Sequence, residues 1–475
     1  MMRSLWSGVS GLKVHQTKMD VIGNNIANVN TVGFKASSVT FSDILYQTTQ
    51  SATGPNALTG SAGRNAMQIG LGANVASIKA AMNQTGASQR TDNPFDLMIE
   101  GDGFFIVNSG GTNYFTKAGS FDVDGGGNLC TPSGALVMGW HVDRATEEIV
   151  VDAVKPLRIM SAENMMTPPE ATRAAYVTGN LDSKDLQLTE GRIINIEFYD
   201  ALGHSYTADF KIIQDETNSN EYSVVLRDVK GEDGKSILID ETVEADGSVK
   251  YGIKTGMSVS IDGTSLASVD ADSGDITGQN IKLTFDAGEG TFKSIGAATS
   301  TTDQKTISFK VNGPEPSAFR DLEIDFSTIT MFSSGGSSHL EAYKGDLNNN
   351  NAGKRAGNLS GISIDLAGKI YGSYDNGDRR LLGQIAVASF ANPTGLEAVG
   401  NNMYAATQNS GDFNGIGEDP TLGGGGLTTG VLEMSNVDLA AQFTEMITTQ
   451  RGFQANSRII TTSDTMLDEL INLKR

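Results

Sequence analysis

A single cysteine, Cys130, stands among 475 residues, which excludes an intrachain disulfide framework and leaves a buried free thiol as its ordinary reading. Histidine is nearly as scarce. His15, His141, His204 and His339 lie far apart, without the H-x-x-x-H or Cys/His spacing that would hold zinc. No run of 18 apolar residues occurs, so no membrane insertion is expected. The opening MMRSLWSGVSGLKVHQ lacks the continuous apolar stretch of an ordinary signal peptide, which leaves open a cytosolic protein or one exported by a route that reads no such signal. Proline is low at 10 residues against 56 glycines; with abundant Asn, Ser, Thr and Asp, this predicts β-structure rich in turns.

Catalytic signatures are missing as well. There is no G-x-S-x-G and no Ser/His/Asp grouping, and Gly125–Gly127 and Gly423–Gly426 have neither a P-loop lysine nor a Rossmann spacing. Asp122-Val-Asp124-Gly and Asp270-Ala-Asp272-Ser-Gly-Asp275 resemble fragments of calcium loops. Neither has glycine at the sixth position and glutamate at the twelfth, so acidic turns explain them better. No catalytic, cofactor or metal residue is assigned, and no enzyme is expected.

Charge of one sign dominates. The net charge is -21, which argues against nucleic acid and anionic membrane as partners. It is unevenly placed: residues 1–35 carry a net +3, residues 431–475 a net −2, and the middle −22. Near-neutral ends are fit to pack, and an acidic middle is fit to face water.

The ends also carry the strongest pattern. Leu439, Met446, Phe453, Ile460 and Leu467 follow at intervals of seven, and Leu432 extends the series backwards. Ser435 and Asp438 give a helix-start signal, so a helix of roughly 40 residues is predicted, long enough for a coiled coil. Leu5, Leu12, Met19 and Ile26 repeat the seven-residue spacing at the N-terminus, flanked by Trp6, Val9, Ile22 and Val29. Two matching stripes can zip side by side, with copies from neighbouring subunits packing against them. Gly8, Gly11, Gly23 and Gly452 inside these helices each cost about 1 kcal/mol relative to alanine. Such helices are marginal alone and suited to close approach or to ordering on assembly.

Between the ends the texture changes several times. The first helix should stop near Asn28, where Asn24, Asn25, Asn28 and Asn30 crowd its end before Gly33. Residues 31–75 read as a connector with little core of its own, able to order only against neighbouring subunits. Asp96–Val107 holds two apolar runs around a Gly101-Asp-Gly103 turn, and Leu136–Trp140 continues a β meander. From 165 to 355 polar turns separate candidate strands. Ile194, Ile196 and Phe198, answered by Ala208, Phe210 and Ile212 across Ala201–Gly203, predict a hairpin with one wet face. Tyr222–Leu226, Lys235–Ile239, Val249–Ile253, Ile281–Phe285 and Thr306–Val311 follow. The meander's character returns from Leu359, and Leu422–Leu427 looks like a hinge before the last helix.

The predicted fold is α+β, mainly β. A terminal helical coiled-coil core (1–30 with 431–475) closes a nested inner β domain (76–164 with 356–430), into which a β-sandwich or barrel-like outer region (165–355, one or two subdomains) is inserted.

Several segments resemble the bacterial flagellar rod and hook axial proteins. They are Ser7-Gly-Val-Ser-Gly-Leu12, Met19-Asp-Val-Ile-Gly-Asn-Asn-Ile-Ala-Asn-Val-Asn-Thr-Val-Gly-Phe-Lys35, Asn93-Pro-Phe-Asp96 with Gly101-Asp-Gly-Phe-Phe105, Phe115-Thr-Lys-Ala-Gly-Ser-Phe121, Asn392-Pro-Thr-Gly-Leu396 and Gln450-Arg-Gly-Phe-Gln-Ala-Asn-Ser457. The likeness covers the first 140 residues and the last 120 or so. Length and the large insertion favour the hook branch; a distal rod or other axial component, and a secreted β-rich binding module, remain the alternatives. The resemblance implies a self-assembling structural subunit outside the cytoplasm, in a tube that passes motor torque to the filament. It implies a homopolymer whose core contacts include Leu5, Leu12, Met19, Ile26, Leu439, Met446, Phe453, Ile460 and Leu467. Further implied partners are rod proteins at the proximal end, a hook–filament junction protein and hook cap at the distal end, and the flagellar type III export apparatus.

Overall fold

The computed structural model describes residues 2–473 apart from 56–59, 61, 145, 244–248, 267, 270–275, 278–280, 298–303, 314–317 and 423–424. The Asp270–Asp275 calcium-loop fragment, and the centre of the Leu422–Leu427 stretch, lie outside the described residues. The chain divides into two compact units. One comprises residues 1–165, 360–373 and 379–475, and the other residues 166–359 and 374–378.

Helix α1 (Met2–Ala27) opens the first unit. Asn28 ends it as the asparagine crowding predicts, its side-chain amide donating to the Asn24 carbonyl at 2.9 Å and so competing with the helix ladder. Residues 31–75 have little core of their own, but the segment orders within its own chain and not only against neighbouring subunits. β1 (Ser37–Asp43) pairs antiparallel with β4 (Ala73–Ala80), and β2 (Tyr46–Gln50) with β3 (Met67–Gly70), making one long two-stranded ribbon. Its ladder is satisfied within the chain, and cross-strand pairs such as Thr40–Ser77 at 2.7 Å and Gln68–Thr48 at 3.1 Å fix the register. The strands were not foreseen because most of the ribbon's side chains are exposed, so no period-two apolar signal marks them. Ile44, Leu45, Tyr46, Met67 and Ile69 all stand in solvent.

β5 (Ser88–Arg90), β6 (Leu97–Glu100), β7 (Phe104–Ser109) and β8 (Thr112–Thr116) follow. The Gly101–Gly103 bend does not close a hairpin. β6 pairs with Gly426–Thr429, whereas β7 pairs with β8, Leu136–His141 and Val387–Ala388. Phe104-Phe-Ile-Val107 is wholly buried because successive strand residues point to opposite faces and both faces are covered. Phe105 and Val107 enter one core with Leu97, Phe121 and Val137; Phe104 and Ile106 enter another with Phe115, Met138 and Trp140. Residues 426–429 are thus a strand and not a hinge. The Tyr374–Asp378 turn, expected in the inner domain, groups with the second unit, where Asp378 meets Lys354 at 3.0 Å.

Two sheets of six and five strands share one core in the second unit. Arg192–Tyr199 and Ser205–Gln214 form the predicted hairpin, burying Ile194, Ile196, Phe198, Ala208, Phe210 and Ile212. Lys235–Ile239 is displaced: the strand runs Ile239–Val243 and pairs with Val249–Ile253. A short helix, α2 (Gln187–Glu190), precedes the hairpin. The chain ends in α3 (Leu439–Asn472), 34 residues capped by Asp438, whose carboxylate accepts from the Ala440 and Ala441 amides. Ser435 and Leu432, predicted as helix start and stripe, lie before it; Leu432 belongs to the strand Val431–Glu433.

One residue of the second unit's core invites a test. Tyr222 is fully buried, its hydroxyl has no hydrogen-bond partner, and burial followed by the Asp182 charge pushes its pKa up to about 12. Tyr222→Phe removes an unpaired hydroxyl and keeps the edge-on contact with Phe285. It should stabilise the unit by about 1–2 kcal/mol in urea unfolding; a loss of stability would show that the hydroxyl is satisfied.

Candidate assembly interface

α1 and α3 run antiparallel, and their meeting face can be read rung by rung. The Ser4 hydroxyl lies 3.3 Å from that of Ser463. A Cβ added at Gly8 would stand 3.1 Å from Ile460, and one at Gly11 2.6 Å from Asn456. At Gly452 it would stand 2.7 Å from the His15 ring. Lys18 faces Glu445 at 3.7 Å, and the Asn25 amide donates to Gln442 at 3.1 Å. On α1 these positions step by alternating fours and threes, with buried Ile22 filling the remaining place. The spacing is a heptad seam, but apart from Ile22 its residues on α1 are small or polar. Glycine at the closest rungs permits an approach that any side chain would block.

This seam is offset by one residue from the stripe that periodicity picked out. Leu5, Leu12, Met19 and Ile26 flank it and are only half-buried. On α3, Met446, Phe453, Ile460 and Leu467 are half-buried, and Ile460 touches Gly8. Leu439 is exposed. Thr449 and Ser463, which no hydrophobic pattern would select, are the buried residues of α3. Around the seam Trp6, Val9, Phe443, Ile447, Ile459, Met466 and Leu470 remain uncovered.

Below the helices, one collar of polar contacts ties three chain segments together. Asn25, fully buried, accepts from the Ser37 amide at 2.9 Å and donates to the Ser37 carbonyl at 2.8 Å. Asn436 accepts from the Ala36 amide at 2.7 Å and donates to the carbonyls of Ala81 and Gln84. At the centre Lys35 and Glu433, both about 1% exposed at the side chain, pair at 2.7 Å. The Lys35 ammonium also donates to the Gln84 carbonyl, and Glu433 Oε1 accepts from the Gly86 amide; Glu433 Oε2 is buried without a partner. Gly33, at φ +70°, places its amide 2.8 Å from the Glu433 carbonyl where a Cβ would collide with Ala118. Lys117 is buried nearby, donating to the Gly101 carbonyl and lying over the Phe104 ring. Burial, then the Lys35 charge, lowers its pKa to about 8. Neither Lys35 nor Glu433 stood out in the sequence beyond the charge count. The Asn-Asn-Ile-Ala-Asn-Val-Asn-Thr-Val-Gly-Phe-Lys35 signature was the available signal, and the collar is its physical content.

Among the described residues no cluster of His, Cys, Asp or Glu could hold a metal ion, and no helix is long and apolar enough to cross a membrane. The Asp124 carboxylate is occupied by the Gly126 and Asn128 amides, as in an ordinary acidic turn.

Four family profiles match along the chain. Residues 5–35 match the flagella basal body rod protein, 98–170 the flagellar hook protein FlgE/F/G D1 domain, 180–346 the flagellar basal body protein FlaE D2 domain, and 428–473 the flagellar basal body rod FlgEFG protein C-terminal region. The chain is 37% identical to the flagellar hook protein FlgE of Treponema pallidum (strain Nichols) over the whole of both chains. The chain belongs to the flagellar hook protein family. The hook protein FlgE of Borreliella burgdorferi is 36% identical, again over all of both chains, and that of Escherichia coli (strain K12) 29% over 98% of each. This hook-family chain is a structural subunit of the flagellar hook, outside the cytoplasm, and the rod alternative is not favoured. The collar and the helix seam fall within the two terminal matches and the chain next to them.

Two outcomes follow for the hook subunit. His15 sits where α1, α3 and β1 meet, edge-on to Phe41 at 6.0 Å, with Nδ1 buried and unpartnered. Burial, then the Lys18 charge, holds its pKa below the ordinary 6.5. The unfolded chain therefore binds the proton first, so this stability is present above about pH 6.5 and is lost as pH falls through the lower folded value. Helix content followed by circular dichroism should drop in that window, and His15→Gln should flatten the profile. For the collar, Glu433→Ala strands a buried ammonium and should cost about 3–5 kcal/mol. Lys35→Met with Glu433→Leu should recover most of that loss in chemical denaturation; additive losses would show that the pair is not a unit.

Proposed function

We propose that the subunit polymerises through its terminal helices into a tube whose innermost layer is a many-chain coiled coil. The tube acts as a flexible universal joint that transmits motor torque to the filament. The observation that carries this reading is the disposition of apolar side chains around the α1–α3 seam. The seam itself is small and polar, whereas Trp6, Val9, Phe443, Ile447, Ile459, Met466 and Leu470 lie open on its flanks. Long helices with bare apolar flanks are marginal alone and gain stability from packing against further copies. Leu5, Leu12, Met19, Ile26, Met446, Phe453, Ile460 and Leu467 then complete their burial in the polymer, with Leu439 at the base.

In this reading the inner β domain forms the wall of the tube and the inserted region faces its exterior. Rod proteins meet the proximal end, and the junction protein and cap meet the distal end. A helix pair that separates easily also suits passage through the type III export apparatus. No catalytic activity enters this reading.

The test is assembly by truncated chains. Removing residues 2–27, or 438–475, spares the collar contacts of Lys35, Glu433 and Asn436. Each variant should give a soluble, folded monomer that forms no tubes by electron microscopy, while the full chain forms curved, bendable tubes. Tubes from either truncation would remove the helical core from the proposal, and short straight rods from the full chain would restore the rod reading.

A further inference from the structure

Within the first unit a cavity of about 410 Å³ gathers four arginines in a protein of strongly acidic balance. Arg144 and Arg158 come from the loops on either side of Lys155-Pro156, and Arg379 and Arg380 from the strand Arg379–Ile385. Two carboxylates, Glu147 and Glu163, share the lining. Glu163 pairs with Arg144, and Glu147 stands 3.9 Å from Arg380. Both glutamates are about 70% exposed, at 71% and 67%, whereas Arg380 is only 24% exposed. Arg379 lies flat on Tyr371, 4.1 Å from the ring centre, and Arg158 reaches the Gly126 carbonyl at 3.4 Å. Arg379, Arg158 and Arg380 are thus held by a ring, a carbonyl and a strand position, and Arg144 by Glu163. Their carboxylate partners are solvent-exposed ion pairs, which contribute little and exchange readily.

We propose that this arginine-lined cavity receives an acidic turn from the second unit of a neighbouring copy during assembly. Charge complementarity selects the occupant. The second unit holds 32 acidic and 17 basic residues, a net −15, and so most of the chain's excess charge. It presents exposed acidic turns such as Glu232-Asp233 and the segment Asp286–Glu289. Arginine is the side chain best shaped to take carboxylates pairwise, and a planar group stacked on tyrosine is pre-oriented to do so. The incoming carboxylates replace Glu147 and Glu163 on the arginines, so the contact forms by exchange. It contributes to register and to strength of association, and it weakens as salt rises.

This inference rests on the polymer reading above, and the experiment separates the two. A benzophenone-bearing residue is placed at Ser161, and in a second variant at Val142, both on the cavity lining. Each full-length variant, light in nitrogen, is diluted tenfold into heavy unmodified chain and assembled, and the crosslinks are mapped by mass spectrometry. Expected are light–heavy crosslinks from the cavity to acidic turns within residues 166–359. Tubes whose crosslinks stay within one chain, reach only the first unit of a neighbour, or form at neither position overturn the proposal. No tubes from the unmodified chain would overturn the polymer reading and this inference with it. As a second arm, Arg379→Ala with Arg380→Ala should raise the concentration needed for assembly about tenfold at low salt and little at high salt. Thermal unfolding of the monomer should stay unchanged; an unaltered assembly concentration at both salts counts against the site.

Discussion

Two charges taken out of water, Lys35 and Glu433, hold the point where the chain enters its β-structure from one terminal helix and leaves it for the other. A buried ion pair adds little net stability, because desolvating both partners offsets most of their attraction. Its effect is on geometry: either charge left alone is costly, so few arrangements of the three segments around them survive. Asn25 and Asn436 complete the set by satisfying backbone groups of Ser37, Ala36, Ala81 and Gln84, and the Gln84 carbonyl also accepts from the Lys35 ammonium. The register of α1 against α3 and the starting point of the β1–β4 ribbon both descend from this knot.

Above the knot, packing follows a different rule. The helices touch through glycine, serine, asparagine, threonine and histidine, which bring backbones close while burying little apolar surface. The β cores, by contrast, are filled with Phe, Ile, Val and Leu in the ordinary way. One chain therefore combines well-buried β-structure with a helical appendage whose own cohesion is small. That contrast fits the proposed polymer, in which neighbouring copies would cover the helices.

The parts of this design that were legible in the sequence are those where burial is one-sided or total. Alternation in Ile194–Phe198 and the unbroken Phe104–Val107 run each announced a strand, because each pattern reports a different degree of cover. The seven-residue repeats announced both long helices, but not the face on which they meet, since a seam of small and polar residues has no hydrophobic signature. The β1–β4 and β2–β3 pairing was missed for a related reason: its order comes from backbone pairing with side chains that are at most half-buried. Of the two residues in the helix-start signal, Asp438 is the cap, and Ser435 lies three residues ahead of it. The collar was visible as a string of conspicuous residues, but its meaning depended on partners some 400 positions away in the chain, as with Lys35 and Glu433.

The pairing of Ser4 with Ser463 fixes where the two helices stop together. Beyond Ser463, α3 continues for nine residues to Asn472 while α1 has only its first turn left. At 1.5 Å per residue that leaves roughly 10 Å of single helix projecting past its companion. Met466, Leu470 and Ile471 lie on that projecting end, uncovered on the monomer. The pair is therefore blunt at the collar and stepped at its free end. In the proposed polymer, stepped ends would overlap from one copy to the next like staggered staves, so that no cut across the helical layer would pass through joints alone.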